Sequence, residues 1–348
     1  MSGSVQRESG SLQRKDKNVR CSHKGRGCFD MERKTEDKHA LEQKNQNWEE
    51  KKRALESYMD ELAGADILVA FSGGADSALL LAAACRAAKR RAAADGVTAS
   101  RIFAATVATR LHPAQDEKVA AQVAAALGAS HLVIRIDELS EAGIEDNPTE
   151  RCYLCKKYLF GRLLEEAGRL GISTVLEGTN ADDLQVYRPG IRAVRELGIL
   201  SPLAQLGFTK EEVRALAAEY GLSVSNRPSS PCLATRFPYG TKLSYERMEA
   251  VDKGEQYLRS LGFYNVRLRV HQDVARIEVD AKDRGRLLEQ ADGILSYIKR
   301  LGFVYVTLDL EGFRSGSMDV GLSMDVGLSM DVGISMDVGL SMDVRISQ

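Results

Sequence analysis

The amino-acid sequence predicts an α/β protein, with a doubly wound parallel sheet followed by a smaller α+β domain. An apolar run at residues 67–71 is followed at once by two glycines and a helical pattern, as expected for a strand that ends at a ligand-binding turn. Strand and helix patterns then alternate, and a new pattern begins after residue 240. The 348 residues, 44% of them hydrophobic, are enough for about two domains.

The first 45 residues differ in composition from the rest of the chain. Residues 1–45 are polar, dense in both charges and without aliphatic periodicity, which is typical of a disordered extension. Two cysteines and a histidine in this stretch match no common zinc signature. A helical pattern over residues 48–62 then opens the predicted nucleotide-binding domain, residues 46–240.

The loop after the first strand has the features of a phosphate site. Its two glycines allow a tight turn, and the unpaired N–H groups at the start of the next helix attract an anion together with the helix dipole. Asp76 stands beside these donors, and a carboxylate next to phosphate requires a bridging cation such as Mg²⁺. We therefore expect ATP and Mg²⁺ to be bound by Ser72, Gly73, Gly74, Asp76 and Ser77.

The spacing of this loop excludes two common nucleotide motifs. Neither Gly-x-x-x-x-Gly-Lys-Ser/Thr nor Gly-x-Gly-x-x-Gly follows the strand. What remains, Ser-Gly-Gly-x-Asp-Ser between a strand and a helix, resembles the pyrophosphate (PP) loop of the ATP pyrophosphatases. The resemblance implies cleavage of ATP between its α- and β-phosphates, with Asp76 as a catalytic residue. An ordinary glycine-rich turn is the alternative.

Crossover units follow the loop. Strands are predicted at 101–106, 131–136 and 173–176, and helices at 113–127 and 152–169. Connections of this kind produce parallel strands, whose ligands bind beyond the carboxyl ends. The loop 177–183 follows such an end, so Asn180 and Asp182 are predicted to face the same nucleotide.

A smaller α+β domain is predicted for residues 241–312. Before it, Thr209 starts a helix with Glu212 as its capping-box partner. After the loop 226–240, the sequence predicts a helix from 244, strands at 265–270 and 274–279, a helix ending at 300 and a strand at 303–308. In the first of these strands, Arg267 and Arg269 alternate with apolar residues and therefore share one face.

The C-terminal stretch, residues 313–348, repeats the hexapeptide Ser-Met-Asp-Val-Gly-Leu. A hexapeptide β-helix needs several complete coils to bury a core, and this run is too short to form them. We expect a disordered tail without catalytic residues.

Charge and hydropathy exclude several classes of partner. The formal net charge of -1 provides no general basic surface for nucleic acid. No apolar run approaches the ~18 residues that cross a membrane, and the N-terminus lacks the apolar core of a signal peptide. We expect a cytoplasmic protein that binds neither nucleic acid nor membranes. In that compartment the six cysteines remain thiols, so a group of them suggests metal binding or catalysis.

Three cysteines carry the remaining chemistry. Cys152 and Cys155 form a Cys-x-x-Cys at a helix start, where the dipole and the adjacent Lys156 and Lys157 favour thiolates. A lone Cys-x-x-Cys is ambiguous between redox, zinc and iron–sulfur roles. Cys232 lies far away in sequence, within the loop that precedes the second domain.

Six further segments follow the pattern of one family. They are 151–157, 177–183, 187–190, 196–203, 208–210 and 232–240. Together they resemble the LarE family, ATP-dependent sulfur transferases that help to make the nickel-pincer nucleotide cofactor of lactate racemase. The resemblance covers about residues 48–310 and neither terminal extension.

The resemblance implies a two-step reaction. ATP adenylates a carboxylate of pyridinium-3,5-biscarboxylic acid mononucleotide with release of pyrophosphate, and a sulfur nucleophile then forms a thiocarboxylate. In one version of the family the sulfur comes from a cysteine matched here by Cys232, which becomes dehydroalanine after one turnover. In the other, cysteines matching Cys152, Cys155 and Cys232 hold a 4Fe-4S cluster whose free iron carries a sulfide. All three are present, which favours the cluster version.

The resemblance also implies a site for the substrate phosphate. It assigns Arg267, Arg269 and Arg236 to this site, since guanidinium matches phosphate oxygens. Glu255 is assigned to the same group, although an exposed helical glutamate is the alternative. We expect a small-molecule nucleotide as the substrate and a homo-oligomer as the assembly.

Three other functions fit parts of the pattern. A tRNA thiolase also combines a PP loop with a cysteine-held cluster, but it should show a basic RNA-binding patch. An amide-forming pyrophosphatase such as NAD synthetase needs no cysteines. A nucleotide-binding sensor would bind ATP without releasing pyrophosphate.

Overall fold

The computed structural model describes residues 46–112, 115–185, 188–227, 231–314 and 317–318. The chain divides into two units, Met1–Arg53 and Ala54–Gln348, and the candidate site residues all belong to the second. The predicted N-terminal extension and nearly all of the hexapeptide tail fall outside the described residues. Within the described ranges, no helix is long and apolar enough to cross a membrane.

The first sheet has four parallel strands. They are β1 (Ile67–Ala70), β2 (Ile102–Ala108), β3 (Ser130–Arg135) and β4 (Thr174–Leu176). Their order is β3-β2-β1-β4. β1 and most of β2 are buried, as expected for a parallel sheet with helices on its faces. The predicted α/β class is confirmed, and each predicted strand lies within two residues of the observed one.

Helices alternate with these strands. They are α1 (54–62 in this unit), α2 (Ala75–Asp95), α3 (Gln115–Leu127), α4 (Glu138–Glu141), α5 (Arg151–Arg169), α6 (Pro189–Glu196), α7 (Pro202–Gln205) and α8 (Lys210–Glu219). On one face of the sheet, Phe160 and Leu163 of α5 and Val194 of α6 pack in one buried cluster with Leu68 and Phe103. The predicted start of α3 at residue 113 lies outside the described residues.

The strand order determines where a ligand can enter. The chain moves from β1 outward to β2 and β3 and then crosses to the other side of β1 to form β4. At such a reversal, the loops after the two central strands separate and leave a crevice at the carboxyl edge. The loop after β1 contains residues 72–74 and the loop after β4 contains residues 177–181. These are the two loops that the sequence assigns to the nucleotide.

A second, smaller sheet lies in the C-terminal region. Its strands are β5 (Val266–His271), β6 (Val274–Val279) and β7 (Tyr305–Leu308), and its helices are α9 (Tyr245–Ser260), α10 (Arg284–Glu289) and α11 (Ala291–Arg300). β6 lies in the middle, antiparallel to β5 and parallel to β7. The predicted helix ending at residue 300 is divided in two because the backbone leaves the helical conformation at Gln290.

The core of the second sheet also includes residues from the preceding loop. Leu233 and Phe237 are buried in the same cluster as Met248 and Val266. Leu111, from the segment after β2, belongs to this cluster too. The loop that carries Cys232 is therefore packed against the C-terminal sheet.

Candidate active site

A cavity of about 420 Å³ opens at the carboxyl edge of the first sheet. Ser72, Gly74, Asp76 and Ser77 line one side of it. The end of β2, the loop after β4, and residues of α5 and α8 complete the wall. The volume is in the range of small-molecule sites, and the position is the crevice expected from the strand order.

The loop after β1 has the predicted strand–turn–helix form. Gly73 has a φ of 69°, and Gly74 precedes α2 in an extended conformation. The hydroxyl oxygens of Ser72 and Ser77 lie 3.2 Å apart, and Ser77 Oγ also donates to the Gly74 carbonyl at 3.2 Å. No side chain of the described residues caps α2 at Gly74, so the first N–H groups of this helix can receive an anion.

The loop after β4 packs on the start of α2. A Cβ at Gly178 would lie 3.0 Å from the backbone nitrogen of Ser77 and 3.1 Å from Cβ of Asp76. A larger residue would therefore push the two loops apart. Asn180 Nδ2 donates to Asp76 Oδ1 at 3.1 Å. Asp76 and Asn180, which belong to separate motifs of the sequence, are therefore in contact.

Asp182 lies behind this contact. Its Oδ2 accepts the backbone N–H of Lys210 at 2.9 Å, at the first residue of α8. The Lys210 ammonium in turn pairs with the Asp76 carboxylate. The adjacent Asp183 lines the cavity and pairs with Arg188 at 2.8 Å. Asp182 thus supports Lys210, while Asp183 faces the cavity.

Sequence reasoning missed the basic side chains of the cavity. Arg227 Nη1 donates to the Gly73 carbonyl at 3.2 Å, and Arg227 Nη2 pairs with Asp116 at 2.6 Å. No spacing rule could have indicated this contact, because 154 residues separate Arg227 from Gly73. Among the described residues, the lysines and arginines that line the cavity are Lys156, Arg188, Lys210 and Arg227. Arg188, Lys210 and Arg227 are each paired with a carboxylate of the same cavity, so its wall presents both cations for phosphate and carboxylates for a metal ion.

The three cysteines lie in one neighbourhood. Cys152 and Cys155 are in the first turns of α5, and Cys232 immediately precedes the 3₁₀ turn Leu233–Arg236. Cys155 and Cys232 both pack against the buried cluster of the second sheet. Burial raises the pKa of Cys155, and the charges of Cys232, Glu138 and Cys152 add to this effect. Cys152 is exposed, whereas the other two are partly buried.

Two buried side chains hold the Cys232 loop over α5. Asn147 Nδ2 donates to the Pro238 carbonyl at 2.6 Å, and Arg151 Nη1 donates to the Ala234 carbonyl at 3.3 Å. Asn147 and Arg151 are both almost fully buried. These hydrogen bonds place Cys232 beside the helix that carries the other two cysteines, an arrangement that the sequence alone could not show.

The expectation that the helix start favours thiolates is wrong for Cys155. Burial raises the pKa of both Cys155 and Cys232. The nearby lysines are directed elsewhere, since Lys157 pairs with Glu196 at 3.0 Å and Lys156 lines the cavity. Burial therefore favours the neutral thiol at both cysteines when no metal is bound.

The three cysteines differ from a site for a single metal ion. In the part of the chain that the structure describes, no three His, Cys, Asp or Glu side chains are placed to hold a single metal ion. Iron–sulfur clusters are held by cysteine thiolates and extend over more space than one ion. Three neighbouring cysteines therefore fit the chemistry of a cluster, although not that of a mononuclear site.

Glu138, which sequence reasoning also missed, is a buried carboxylate near the thiols. Its Oε1 accepts the Leu111 N–H at 3.0 Å, and its Oε2 has no hydrogen-bond partner among the described residues. Burial raises the pKa of Glu138 above its ordinary value. Because the Leu111 carbonyl accepts the Leu233 N–H at 2.8 Å, Glu138 supports the turn after Cys232.

An arginine cluster adjoins the same turn. Arg236 forms two hydrogen bonds of 2.9 Å with Glu255, and both side chains are almost fully buried. Arg269 pairs with Glu278 at 3.0 Å and donates to the Thr235 carbonyl at 2.9 Å. Glu255 is therefore not the exposed helical glutamate considered as the alternative. The structure brings together all four residues assigned to the substrate phosphate, namely Arg236, Glu255, Arg267 and Arg269.

Known proteins resemble the chain over most of its length. Pyridinium-3,5-bisthiocarboxylic acid mononucleotide synthase of Lactiplantibacillus plantarum is 39% identical over 253 residues, which are 73% of this chain and 88% of the synthase. An uncharacterised protein of Synechocystis sp. is 38% identical over 273 residues, 78% of this chain and 97% of that protein.

A protein from an archaeon shows a shorter match. An uncharacterised protein of Methanocaldococcus jannaschii is 34% identical over 183 residues, 53% of this chain and 69% of that protein. No family model matches the chain. The identity to the L. plantarum synthase extends over most of both chains, and it shows that this protein belongs to the LarE family.

Proposed function

We propose that this protein is an ATP-dependent sulfur transferase that acts on pyridinium-3,5-biscarboxylic acid mononucleotide. One carboxylate oxygen attacks the α-phosphorus of ATP and pyrophosphate leaves; sulfur then attacks the carboxyl carbon and AMP leaves, giving a thiocarboxylate. The L. plantarum relative is a pyridinium-3,5-bisthiocarboxylic acid mononucleotide synthase, which supports this choice of substrate and product.

The observation that carries the proposal is that α5 lines the cavity and also carries two of the three cysteines, which together with Cys232 we call the thiol site. α5 contributes Lys156 and Leu159 to the cavity and Cys152 and Cys155 to the thiol site. A carboxylate activated in the cavity would thus lie on the same helix as the sulfur donors.

Asp76 would hold Mg²⁺, which would neutralise charge on the leaving pyrophosphate. Lys210 and Arg227 add positive charge on the same side of the cavity. The N–H groups at the start of α2 can hold the phosphate oxygens in place. Adenylation is useful here because AMP is a far better leaving group than oxide, so a thiol or sulfide can displace it.

Cys152, Cys155 and Cys232 would hold a 4Fe-4S cluster, which would supply a bound sulfide as the nucleophile. In the second version, Cys232 gives its own Sγ, and loss of its α-proton with cleavage of the Cβ–S bond leaves dehydroalanine. The hydrogen bonds that hold the Cys232 loop against the start of α5, where the other two cysteines lie, support the cluster version.

The proposal is tested by measuring thiocarboxylate formation by mass spectrometry. Anaerobically purified protein is supplied with ATP, Mg²⁺ and the mononucleotide. Cys232→Ala is expected to form no thiocarboxylate. Cys85→Ala is the matched control, because Cys85 is buried in α2 and does not line the cavity. Thiocarboxylate formation by Cys232→Ala at the wild-type rate would overturn the role of this cysteine.

The sulfur source is tested by iron and sulfide analysis of the same samples. About four irons per chain, lost in Cys152→Ala and Cys232→Ala but kept in Cys85→Ala, are expected for the cluster. An iron-free wild-type protein that loses the mass of hydrogen sulfide at Cys232 after turnover would instead identify a single-turnover donor.

A further inference from the structure

Arg267 differs from the other arginines around the proposed phosphate site. Glu255 pairs with Arg236 and Arg259, and Glu278 pairs with Arg269 and Arg276. Arg267 lies on β5 in the same cluster, but no carboxylate of the described residues is within ion-pair distance of it. Among the described arginines of this cluster, Arg267 is therefore the one that lacks an ion-pair partner and can pair with a ligand.

The surroundings of Arg267 balance its charge only in part, since Glu255 attracts it but forms no ion pair with it. Its Nη1 donates to the Val266 carbonyl at 2.7 Å. Burial, followed by the positive charge of Arg236, lowers the pKa of Arg267 to about 10. An anion bound here would relieve both the desolvation and the repulsion.

An aromatic ring orients the guanidinium group. Cζ of Arg267 lies 5.1 Å from the centroid of the Phe313 ring. A cation within about 6 Å of an aromatic face is attracted to it. Such a contact restrains the guanidinium. Unlike a carboxylate partner, it does not supply a negative charge.

Phe313 is held by the chain segment that follows β7. Asp309 N–H donates to the Ile277 carbonyl, and Phe313 N–H donates to the Val279 carbonyl, both at 2.9 Å. Gly312 has a φ of 81°, and a Cβ at this position would lie 2.7 Å from the Val279 oxygen. The segment can therefore follow β6 closely only because this residue is glycine.

The segment also contacts the carboxylate that pairs with the second arginine of β5. Ser317 Oγ donates to Glu278 Oε1 at 2.8 Å, and Glu278 is the carboxylate that holds Arg269. Residues after β7 thus contact Arg267 directly through Phe313 and are linked to Arg269 only through Glu278. The sequence assigns Phe313 to the hexapeptide tail, so nothing in the pattern indicated this role.

We propose that Phe313 is a positioning residue for the substrate phosphate. It holds the Arg267 guanidinium in the orientation that binds the phosphate monoester of the nucleotide and leaves the charge unpaired. This inference rests on the proposed function, since it takes the phosphate of the pyridinium mononucleotide to be the anion at Arg267.

The first test separates KM from kcat in thiocarboxylate formation. Phe313→Leu is expected to raise KM for the mononucleotide about three- to tenfold, the size of a partly desolvated cation–π contact, with kcat and KM for ATP unchanged. Phe313→Tyr retains an aromatic face and is expected to restore the wild-type KM. An equal effect of both variants on kcat would overturn the positioning role.

The second test needs no turnover. Nicotinic acid mononucleotide, a pyridinium mononucleotide with one phosphate, is titrated by calorimetry into wild type, Phe313→Leu, Phe313→Tyr and Arg267→Gln. Weaker binding by Phe313→Leu and Arg267→Gln, but not by Phe313→Tyr, is expected. Thermal unfolding checks that each variant is folded, and Phe313→Met replaces the leucine variant if that protein is unfolded.

The outcomes distinguish this inference from the proposed function. Weaker binding by Arg267→Gln alone would overturn the role of Phe313 and leave the phosphate site intact. Unchanged binding in all variants would place the phosphate elsewhere and overturn the inference as well. If Phe313→Leu and Arg267→Gln bind the nucleotide more weakly but neither wild type nor any variant forms thiocarboxylate, the result would support the positioning role of Phe313 and contradict sulfur transfer.

Discussion

The two carboxylate oxygens of Asp76 have different partners. Oδ1 accepts from the Asn180 side chain, and Oδ2 pairs with the Lys210 ammonium. The sequence could predict Asp76 because all parts of its motif are adjacent in the chain. It could not predict the pair with Lys210, which depends on how α8 lies against α2.

Removing the charge of Asp76 tests its role directly. Asp76→Asn keeps the size of the side chain but weakens Mg²⁺ binding, so pyrophosphate release should fall by about a hundredfold or more. Asp60→Asn is the control, because Asp60 pairs with Arg90 and does not line the cavity. Pyrophosphate is measured by an enzyme-coupled assay, and an unchanged rate in Asp76→Asn would rule out this assignment.

Among the elements, α8 shows how local sequence places a functional group. The predicted capping box is confirmed, since Thr209 Oγ1 accepts the Glu212 N–H at 3.3 Å and Glu212 accepts the Thr209 N–H at 2.8 Å. This cap fixes the first turn, where Lys210 points to Asp76. Such a motif is predictable because its partners are three residues apart.

Loss of the cap should weaken α8 measurably. Thr209→Ala is expected to lower the free energy of unfolding by about 1 kcal/mol. Thr209→Ser keeps the hydroxyl acceptor and should therefore lose much less stability. Denaturant unfolding measures both values. Equal stability of Thr209→Ala and wild type would show that the cap contributes nothing.

α5 shows the limit of such local prediction. Its position and its Cys-x-x-Cys follow from the sequence, but the thiolate expectation fails at Cys155 because burial depends on packing from elsewhere in the chain. The covering loop contributes Ala234 and Pro238 through their carbonyls to Arg151 and Asn147. These contacts join segments about 90 residues apart, which no local periodicity encodes.

In the molecule as a whole, a buried ion pair joins the Cys232 turn to the C-terminal region. Arg236 belongs to the turn and Glu255 to α9, and their exposed side-chain fractions are 3% and 1%. The parallel sheet could be predicted because each crossover unit is local. The ion pair between Arg236 and Glu255 could not be predicted, because the periodicity of a helix does not reveal which distant side chain pairs with Glu255.

Breaking this pair should be costly. Glu255→Gln leaves Arg236 buried with its charge uncompensated, so the free energy of unfolding should fall by about 3–5 kcal/mol. Glu249→Gln, on the exposed face of the same helix, should change it by less than about 0.5 kcal/mol. Similar losses in the two variants would contradict a special role for the buried pair.

The same pair predicts a pH dependence of stability. Burial alone would raise the pKa of Glu255, but Arg236, Arg259 and Arg267 together outweigh burial and lower the pKa below its ordinary value of 4.5. The stabilisation is therefore complete above pH 4.5 and is lost as the pH falls further. Denaturant unfolding at several pH values should show the difference between wild type and Glu255→Gln narrowing only below this value.

The most direct measurement of sulfur transfer is a quenched time course that follows ATP and the mononucleotide together. Wild-type protein should form AMP, pyrophosphate and thiocarboxylate in step, and only when ATP, Mg²⁺ and the mononucleotide are all present. Formation of ADP and phosphate, or of thiocarboxylate without ATP, would contradict adenylation followed by sulfur transfer.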